Sequence, residues 1–226
     1  MERIEFDRIT FWRGDNLELM KQTPDKLYDL AVVDPPYGIG VNSMNMGSRK
    51  TIRPDKREWD NDIPTDEYFN ELFRISKYQI IWGGNYFPLP PSKSFIIWDK
   101  AESMYGRDFA ECEFAWVTPD KPAKIYKKTP NQLDRIHPTQ KPVKLLERII
   151  EIFTDPGDVV IDPVAGSGSS LVAAENMGRK SFGFEIKLNF FKEATKWIES
   201  NQLIKKEIKE IGYAKTELSK TQNTLF

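Results

Sequence analysis

Two short segments of this chain carry residue types that can do chemistry together. The first is Asp34-Pro35-Pro36-Tyr37, directly after the apolar run 30–33. Two prolines stiffen the backbone behind the acid, and Pro35 leaves a carbonyl with no amide hydrogen of its own to compete for it. The Asp34 carboxylate and the Pro35 carbonyl can both accept hydrogen bonds, while Tyr37 offers an aromatic face. Two acceptors and a ring suit a planar heterocycle bearing an exocyclic amino group. The same four residues would also serve a Pro-Pro turn with a capping Asp and a core Tyr.

The second segment is Asp162-Pro163-Val164-Ala165-Gly166-Ser167-Gly168-Ser169-Ser170, which closes the apolar run 159–161. Gly166 and Gly168 stand where a strand gives way to a helix, and small residues there let the backbone approach a ligand. Glu185 closes the next strand about 20 residues later, placed to bond ribose hydroxyls. A dinucleotide fingerprint would need a third glycine where Leu171 stands, and a phosphate loop would need Gly-Lys-Ser/Thr. Neither is present, so the loop suits a nucleoside without a polyphosphate. Alone, a Gly-x-Gly loop is equally well explained by a tight turn.

Elements that could bring the two segments together are legible along the chain. Strands are expected at 8–13, 30–34, 79–82, 95–98, 113–117, 159–162 and 182–185, and helices starting near Asn16, Thr65, Pro142, Ser169 and Leu188. Pro142 suits a first helical turn, because its fixed φ is helical and its missing N–H would be unpaired there anyway. Strand and helix alternate without repeats, which predicts an α/β fold: a doubly wound, mainly parallel sheet. In such sheets ligands bind beyond the carboxyl ends of the strands, so both loops can share one site. The stretch 38–57 has no periodicity and is expected to be a mobile loop over that site.

With 226 residues the chain fits one α/β domain. Its single cysteine, Cys112, excludes an intramolecular disulfide; no stretch is apolar enough to span a bilayer, and the first residues do not read as a signal peptide, so a cytoplasmic location is expected. A net charge of −1 argues against a protein that coats nucleic acid by bulk electrostatics. The basic residues are clustered instead. Arg49, Lys50, Arg53, Lys56 and Arg57 crowd one expected loop, and Lys121, Lys124, Lys127 and Lys128 another. Either run could be a solvated face, but two of them flanking a chemical motif point to phosphate contact.

Taken with His137-Pro138-Thr139-Gln140-Lys141-Pro142, the two motifs resemble those of the β-class DNA amino-methyltransferases, in which the catalytic motif precedes the cofactor motif. The resemblance runs from about residue 14 to residue 191 and implies a Rossmann-like methyltransferase fold with permuted motif order. It implies S-adenosylmethionine as cofactor, a nucleoside without phosphate, in agreement with the glycine loop. By the resemblance, Asp162, Pro163, Val164, Gly166, Ser167, Gly168 and Ser169 wrap the methionine end, and Glu185 holds the ribose. Asp15 and Asn16 lie near the adenine, Thr139 and Lys141 near the methionine carboxylate, and His137 packs close to the cofactor. The family usually carries Phe where this chain has Val164, a smaller wall for the same pocket.

The implied reaction is direct methyl transfer to the N6 amino group of a flipped adenine in double-stranded DNA. Asp34, Pro35, Pro36 and Tyr37 form its catalytic loop, and neither a metal nor a covalent enzyme intermediate is needed. Cytosine-N4 enzymes more often carry Ser at the position of Asp34. A cytosine-N4 enzyme, an RNA methyltransferase and a nucleic-acid-binding partner subunit are the alternatives. The resemblance predicts a methyltransferase domain over 1–203 with a small target-recognition insertion within about 101–136, followed by a charged helix and tail over 204–226. So small a recognition element could borrow surface from a second copy in a homodimer. Gln222, Leu225 and Phe226 resemble the Gln-x-x-Leu-Phe motif that docks on the bacterial sliding clamp.

Overall fold

The computed structural model describes residues 2–39, 63–106, 110–130 and 140–223. The expected loop 38–57, with Arg49, Lys50, Arg53, Lys56 and Arg57, therefore lies mostly outside the described residues, as do His137, Thr139, Leu225 and Phe226.

Nine strands form one sheet: β1 (Glu2–Glu5), β2 (Ile9–Arg13), β3 (Tyr28–Val33), β4 (Ser76–Trp82), β5 (Ser94–Asp99), β6 (Cys112–Val117), β7 (Lys124–Lys127), β8 (Val159–Asp162) and β9 (Lys180–Glu185). Their order is β1-β2-β9-β8-β3-β4-β6-β5-β7. The run from β2 to β4 is parallel throughout. Strand β6 runs antiparallel to both β4 and β5, so β5 points the same way as β3 and β4, and β7 pairs parallel with β5.

Among the described residues the α-helices are α1 (Asn16–Lys21), α2 (Asp66–Ile75), α3 (Val143–Phe153), α4 (Ser169–Asn176) and α5 (Leu188–Asn223). Asp15 caps α1 by accepting from Leu17 and Glu18 amides, and Thr65 caps α2 through the Tyr68 amide, contacts that typically stabilise a helix by about 1 kcal/mol. Alternation along β3 divides its side chains between two cores. Leu30 and Val32 pack with α3 and α4, while Ala31 and Val33 pack with Met20 of α1 and Phe69 and Leu72 of α2. A strand buried on both faces explains why 30–33 is continuously apolar.

Because α2 leads from β3 to β4 on one face and α4 leads from β8 to β9 on the other, the strand order reverses between β3 and β8. That reversal opens a crevice at their carboxyl ends, where the two chemical segments begin.

One expectation is corrected. Lys124 and Lys127 belong to edge strand β7, not to a loop. Within 101–136, β6 is an internal strand, as expected, and β7 an edge strand of the same sheet. Helix α5 passes through Gly212 and continues to Asn223, so the backbone at Gln222 is helical and the 203/204 boundary falls within one helix.

Candidate active site

A cavity of about 470 Å³ lies at the carboxyl ends of β3 and β8, and residues of both segments line it. Asp34 and Pro36 form one wall; Asp162, Pro163, Val164, Ala165, Gly166, Ser167, Ser169 and Ser170 form the opposite one. Asp15, Asn16 and Glu185 close one end, and Trp82, Gln140 and Lys141 the other. Pockets for small ligands run from about 300 to 1,000 Å³, so the space suits a nucleoside-sized molecule.

Asp34 is gripped on both oxygens. The Tyr37 hydroxyl donates to Oδ1 at 2.6 Å, and Lys141 Nζ lies 2.6 Å from Oδ2. Burial and the neighbouring Asp34 push the Tyr37 phenol far up, so it remains a donor. Burial raises the Asp34 carboxyl too, while Lys141 opposes it. The Tyr37 ring stacks on Tyr86 at 5.0 Å and 17°, with the edge of Phe87 against it. Gly83, at φ +66°, lies so close that an added Cβ would stand 2.2 Å from Tyr37 Cε1. The aromatic face expected to receive a base is thus shared with Tyr86 and backed by a glycine that the sequence reading did not single out.

The opposite wall is held by neutral donors. Asp162 accepts from the Ser170 hydroxyl and from the Val164 amide, and burial pushes its carboxyl up to about 7. Glu185 is likewise pushed up to about 7 by burial, against hydrogen bonds from the Lys187, Gly166 and Ile186 amides. Asn16 donates to the Pro163 carbonyl at 3.0 Å, tying the start of α1 to the glycine loop. Asp15 lines the cavity, although one of its oxygens is occupied by the α1 cap.

Four expected site residues have surroundings that the sequence did not show. Lys141, assigned by resemblance to the cofactor carboxylate, directs its ammonium at Asp34 and at Glu113, 3.0 Å away. Gly168 turns toward α5, where an added Cβ would meet Ile198 Cδ1 at 3.0 Å; Gly166 is the glycine that lines the cavity. Lys121 donates to the Ile152 carbonyl at the end of α3, at the amino ends of β5 and β7 and away from the cavity. Lys127 pairs with Glu102, and only Lys127 and Lys128 of that cluster stand at the carboxyl end of β7, the edge of the sheet that carries the cavity.

The sequence reading also missed two residues that line the cavity. The Tyr68 hydroxyl and Trp82 Nε1 are buried without a hydrogen-bond partner, and both residues line the cavity. Tyr68 lies on α2 and Trp82 ends β4, inside elements that read as core.

A profile of the N6/N4 DNA methylases matches residues 97–196. "Putative methylase YubD" of Escherichia coli K12 is 30% identical over 194 residues, covering 78% of this chain and 84% of the relative. The chain belongs to the DNA methylase family. Type II methyltransferase M2.MboI of Moraxella bovis is 25% identical, with coverage of 89% and 92%. Among solved structures, the M1.HpyAVI–SAM complex shares the fold with a TM-score of 0.54 at 24% identity, over 83% of this chain and 98% of the other. The cytosine-N4-specific PvuII DNA methyltransferase does so with a TM-score of 0.56 at 16% identity, over 84% and 86%. Both solved structures therefore share the fold of this chain.

Proposed function

We propose that this chain transfers a methyl group from S-adenosylmethionine to the N6 amino group of adenine in double-stranded DNA. The observation that carries the reading is the Asp34 carboxylate, fixed between Tyr37 and Lys141 at one wall of a cavity whose opposite wall is the glycine loop. Asp at this position supports adenine, since cytosine-N4 enzymes of the resembling class more often carry Ser there. The shared fold of the PvuII enzyme favours neither base.

The cavity fits the cofactor. Gly166 at φ +51° brings backbone close to the space, Glu185 offers acceptors for ribose hydroxyls, and Tyr68 and Trp82, whose polar atoms have no hydrogen-bond partner among the described residues, line the same space. Bound there, S-adenosylmethionine supplies a methyl group on a sulfonium, which leaves as a neutral thioether. Among the described residues, no helix is long and apolar enough to cross a membrane.

Asp34 has the main chemical task. The adenine amine is a weak nucleophile because its lone pair is delocalised into the ring. Acceptors on Asp34 and the Pro35 carbonyl draw its hydrogens toward tetrahedral geometry, and nucleophilicity rises as conjugation falls. Holding the nitrogen in line at about 3–3.5 Å from the methyl supplies much of the rate. Strand ends wall the cavity, so a base must leave the duplex to reach Asp34, at a cost of about a few kcal/mol for unstacking.

Incubation with methyl-labelled S-adenosylmethionine and unmethylated duplex DNA, followed by nucleoside analysis, tests the proposal. Label in N6-methyladenine that disappears in Asp34→Ala supports it. Label in N4-methylcytosine keeps the chemistry and overturns the base, while label only in RNA overturns the substrate.

A further inference from the structure

We propose that Glu113 is a positioning residue for methyl transfer, dividing the charge of Lys141 between itself and Asp34 so that Asp34 stays anionic yet can still take a proton from the amine. The proposal rests on the reading that Asp34 grips the amino group. It deepens that reading by naming what sets the strength of the acceptor.

The arrangement is a chain of four charges. Lys141 Nζ lies 2.6 Å from Asp34 Oδ2 and 3.0 Å from Glu113 Oε2, and Lys100 Nζ lies 2.9 Å from Glu113 Oε1. The Lys141 side chain is only 5% exposed, and its ammonium sits 4.8 Å above the Trp82 ring. Glu113 comes from internal strand β6, Lys100 follows β5, Asp34 follows β3 and Lys141 precedes α3, so four parts of the fold meet in one network. Two cations and two anions cancel, as a buried network requires, because an unpaired buried ion costs several kcal/mol.

A pair would suffice for neutrality, so the second pair has a consequence for chemistry. Alone beside Asp34, Lys141 would make it a strongly stabilised carboxylate and a poor proton acceptor. Glu113 takes part of that ammonium, and Lys100 keeps Glu113 charged while it does so. Burial pushes the Glu113 carboxyl up, but Lys141 and Lys100 outweigh it and hold it at about 2. Asp34 moves the other way: burial raises it, Lys141 lowers it and Glu113 raises it again. Glu113 is therefore the fixed charge, and Asp34 the group left able to exchange a proton.

After transfer the amino nitrogen is cationic. Its N–H bond breaks, an O–H bond forms on Asp34, and the proton passes to water at the partly exposed carboxyl. Acceptors work best when their proton affinity is near the operating pH. Asp34 is faced by the Tyr37 hydroxyl from its own loop, Lys141 from the segment before α3, Glu113 from β6 and Asp162 from β8, with Lys100 acting through Glu113.

The sign of two shifts tests this. In the full chain labelled with [13Cγ]aspartate, the Asp34 resonance, assigned by its loss in Asp34→Asn, is titrated in Glu113→Gln and Lys141→Met. Glu113→Gln is expected to lower the Asp34 midpoint by about one pH unit or more, and Lys141→Met to raise it by a similar amount. The acid limb of the methyl-transfer profile should move with each, and the Glu113→Gln plateau should fall. Glu113→Asp, which keeps the charge, should leave the midpoint near the wild-type value, and Lys100→Gln, at the outer end of the network, should raise it by less than Lys141→Met does. Midpoints that stay put, or move the same way in Glu113→Gln and Lys141→Met, overturn the proposal. A wild-type chain that methylates no DNA overturns the underlying reading, and the carboxyl titration, which needs no substrate, separates the two failures.

Discussion

Asp34 and Asp162 stand at the carboxyl ends of neighbouring parallel strands, on facing walls of one cavity, and the fold treats them in opposite ways. Asp34 has a cation on one oxygen and a phenol on the other. Among the described residues Asp162 has only the Ser170 hydroxyl and the Val164 amide as hydrogen-bond donors, and burial takes its carboxyl up to about 7. The difference separates two tasks. On the proposed function, the carboxylate that holds the amino group has a buried ammonium to keep it charged. One that shapes a loop around a cofactor needs directional hydrogen bonds, and its charge becomes a cost.

The sharpest way to break this division is to remove the charge at each site without changing its shape. Asp34→Asn should lower methyl transfer by about 10³-fold, because the amide cannot accept on both atoms and leaves the active-site electrostatics unbalanced. Cofactor affinity, measured by equilibrium dialysis, should change no more than severalfold. If affinity and turnover collapse together, the walls are not functionally separate.

Asp162→Asn tests the other wall through stability. The Asp162 carboxyl rises from 3.8 in the unfolded chain to about 7 in the fold, so the native state holds the proton more tightly. The stability from that proton is complete below about pH 4 and is lost as pH rises toward about 7. A difference of this size amounts to at most about 4 kcal/mol. The asparagine does not titrate. The melting temperature of Asp162→Asn should therefore gain on the wild type between pH 5 and pH 8, and a constant difference across that range would show that burial does not set the Asp162 proton.

Much of this was legible in the chain because it is written in runs of buried residues. All seven expected strands form, within a few residues of their expected ends, since β3, β4 and β8 are buried on both faces and read as apolar stretches. Strands β1 and β7 escaped notice. Each is a short edge strand with charged ends, Glu2–Glu5 and Lys124–Lys127, and edge strands commonly carry such charge. The basic cluster at β7 was accordingly taken for a loop. At the site, the acids and the glycine loop announced themselves by type and spacing. Glu113, Lys100, Tyr68 and Trp82 did not, because each sits in or beside an element whose pattern is satisfied by packing. Glu113 and Lys100 are brought to Lys141 by the antiparallel β4-β6-β5 arrangement of the sheet, which no local window contains.

Two glycines sharpen the comparison further, since each supports one wall with a left-handed backbone. Gly83 has φ +66° and Gly168 φ +75°, so alanine at either pays a similar conformational penalty of about 1–2 kcal/mol. What the new methyl meets is different. At Gly83 it would stand 2.2 Å from Cε1 and 2.6 Å from Cδ1 and Cζ of Tyr37, a rigid ring that can only be displaced as a whole. At Gly168 it would meet Ile198 Cδ1 at 3.0 Å and Leu171 Cδ1 at 3.9 Å, the ends of side chains that can turn aside. Moving Tyr37 also moves the hydroxyl that orients Asp34, and displacements of about 1 Å can cost about 10²-fold in rate. Gly83→Ala should thus lose methyl transfer by up to that factor, with cofactor affinity retained, whereas Gly168→Ala should lose a comparable amount of stability while keeping most of its turnover. Equal kinetic losses in the two variants would mean that Tyr37 does not position Asp34, and that its contact with the carboxylate serves packing alone.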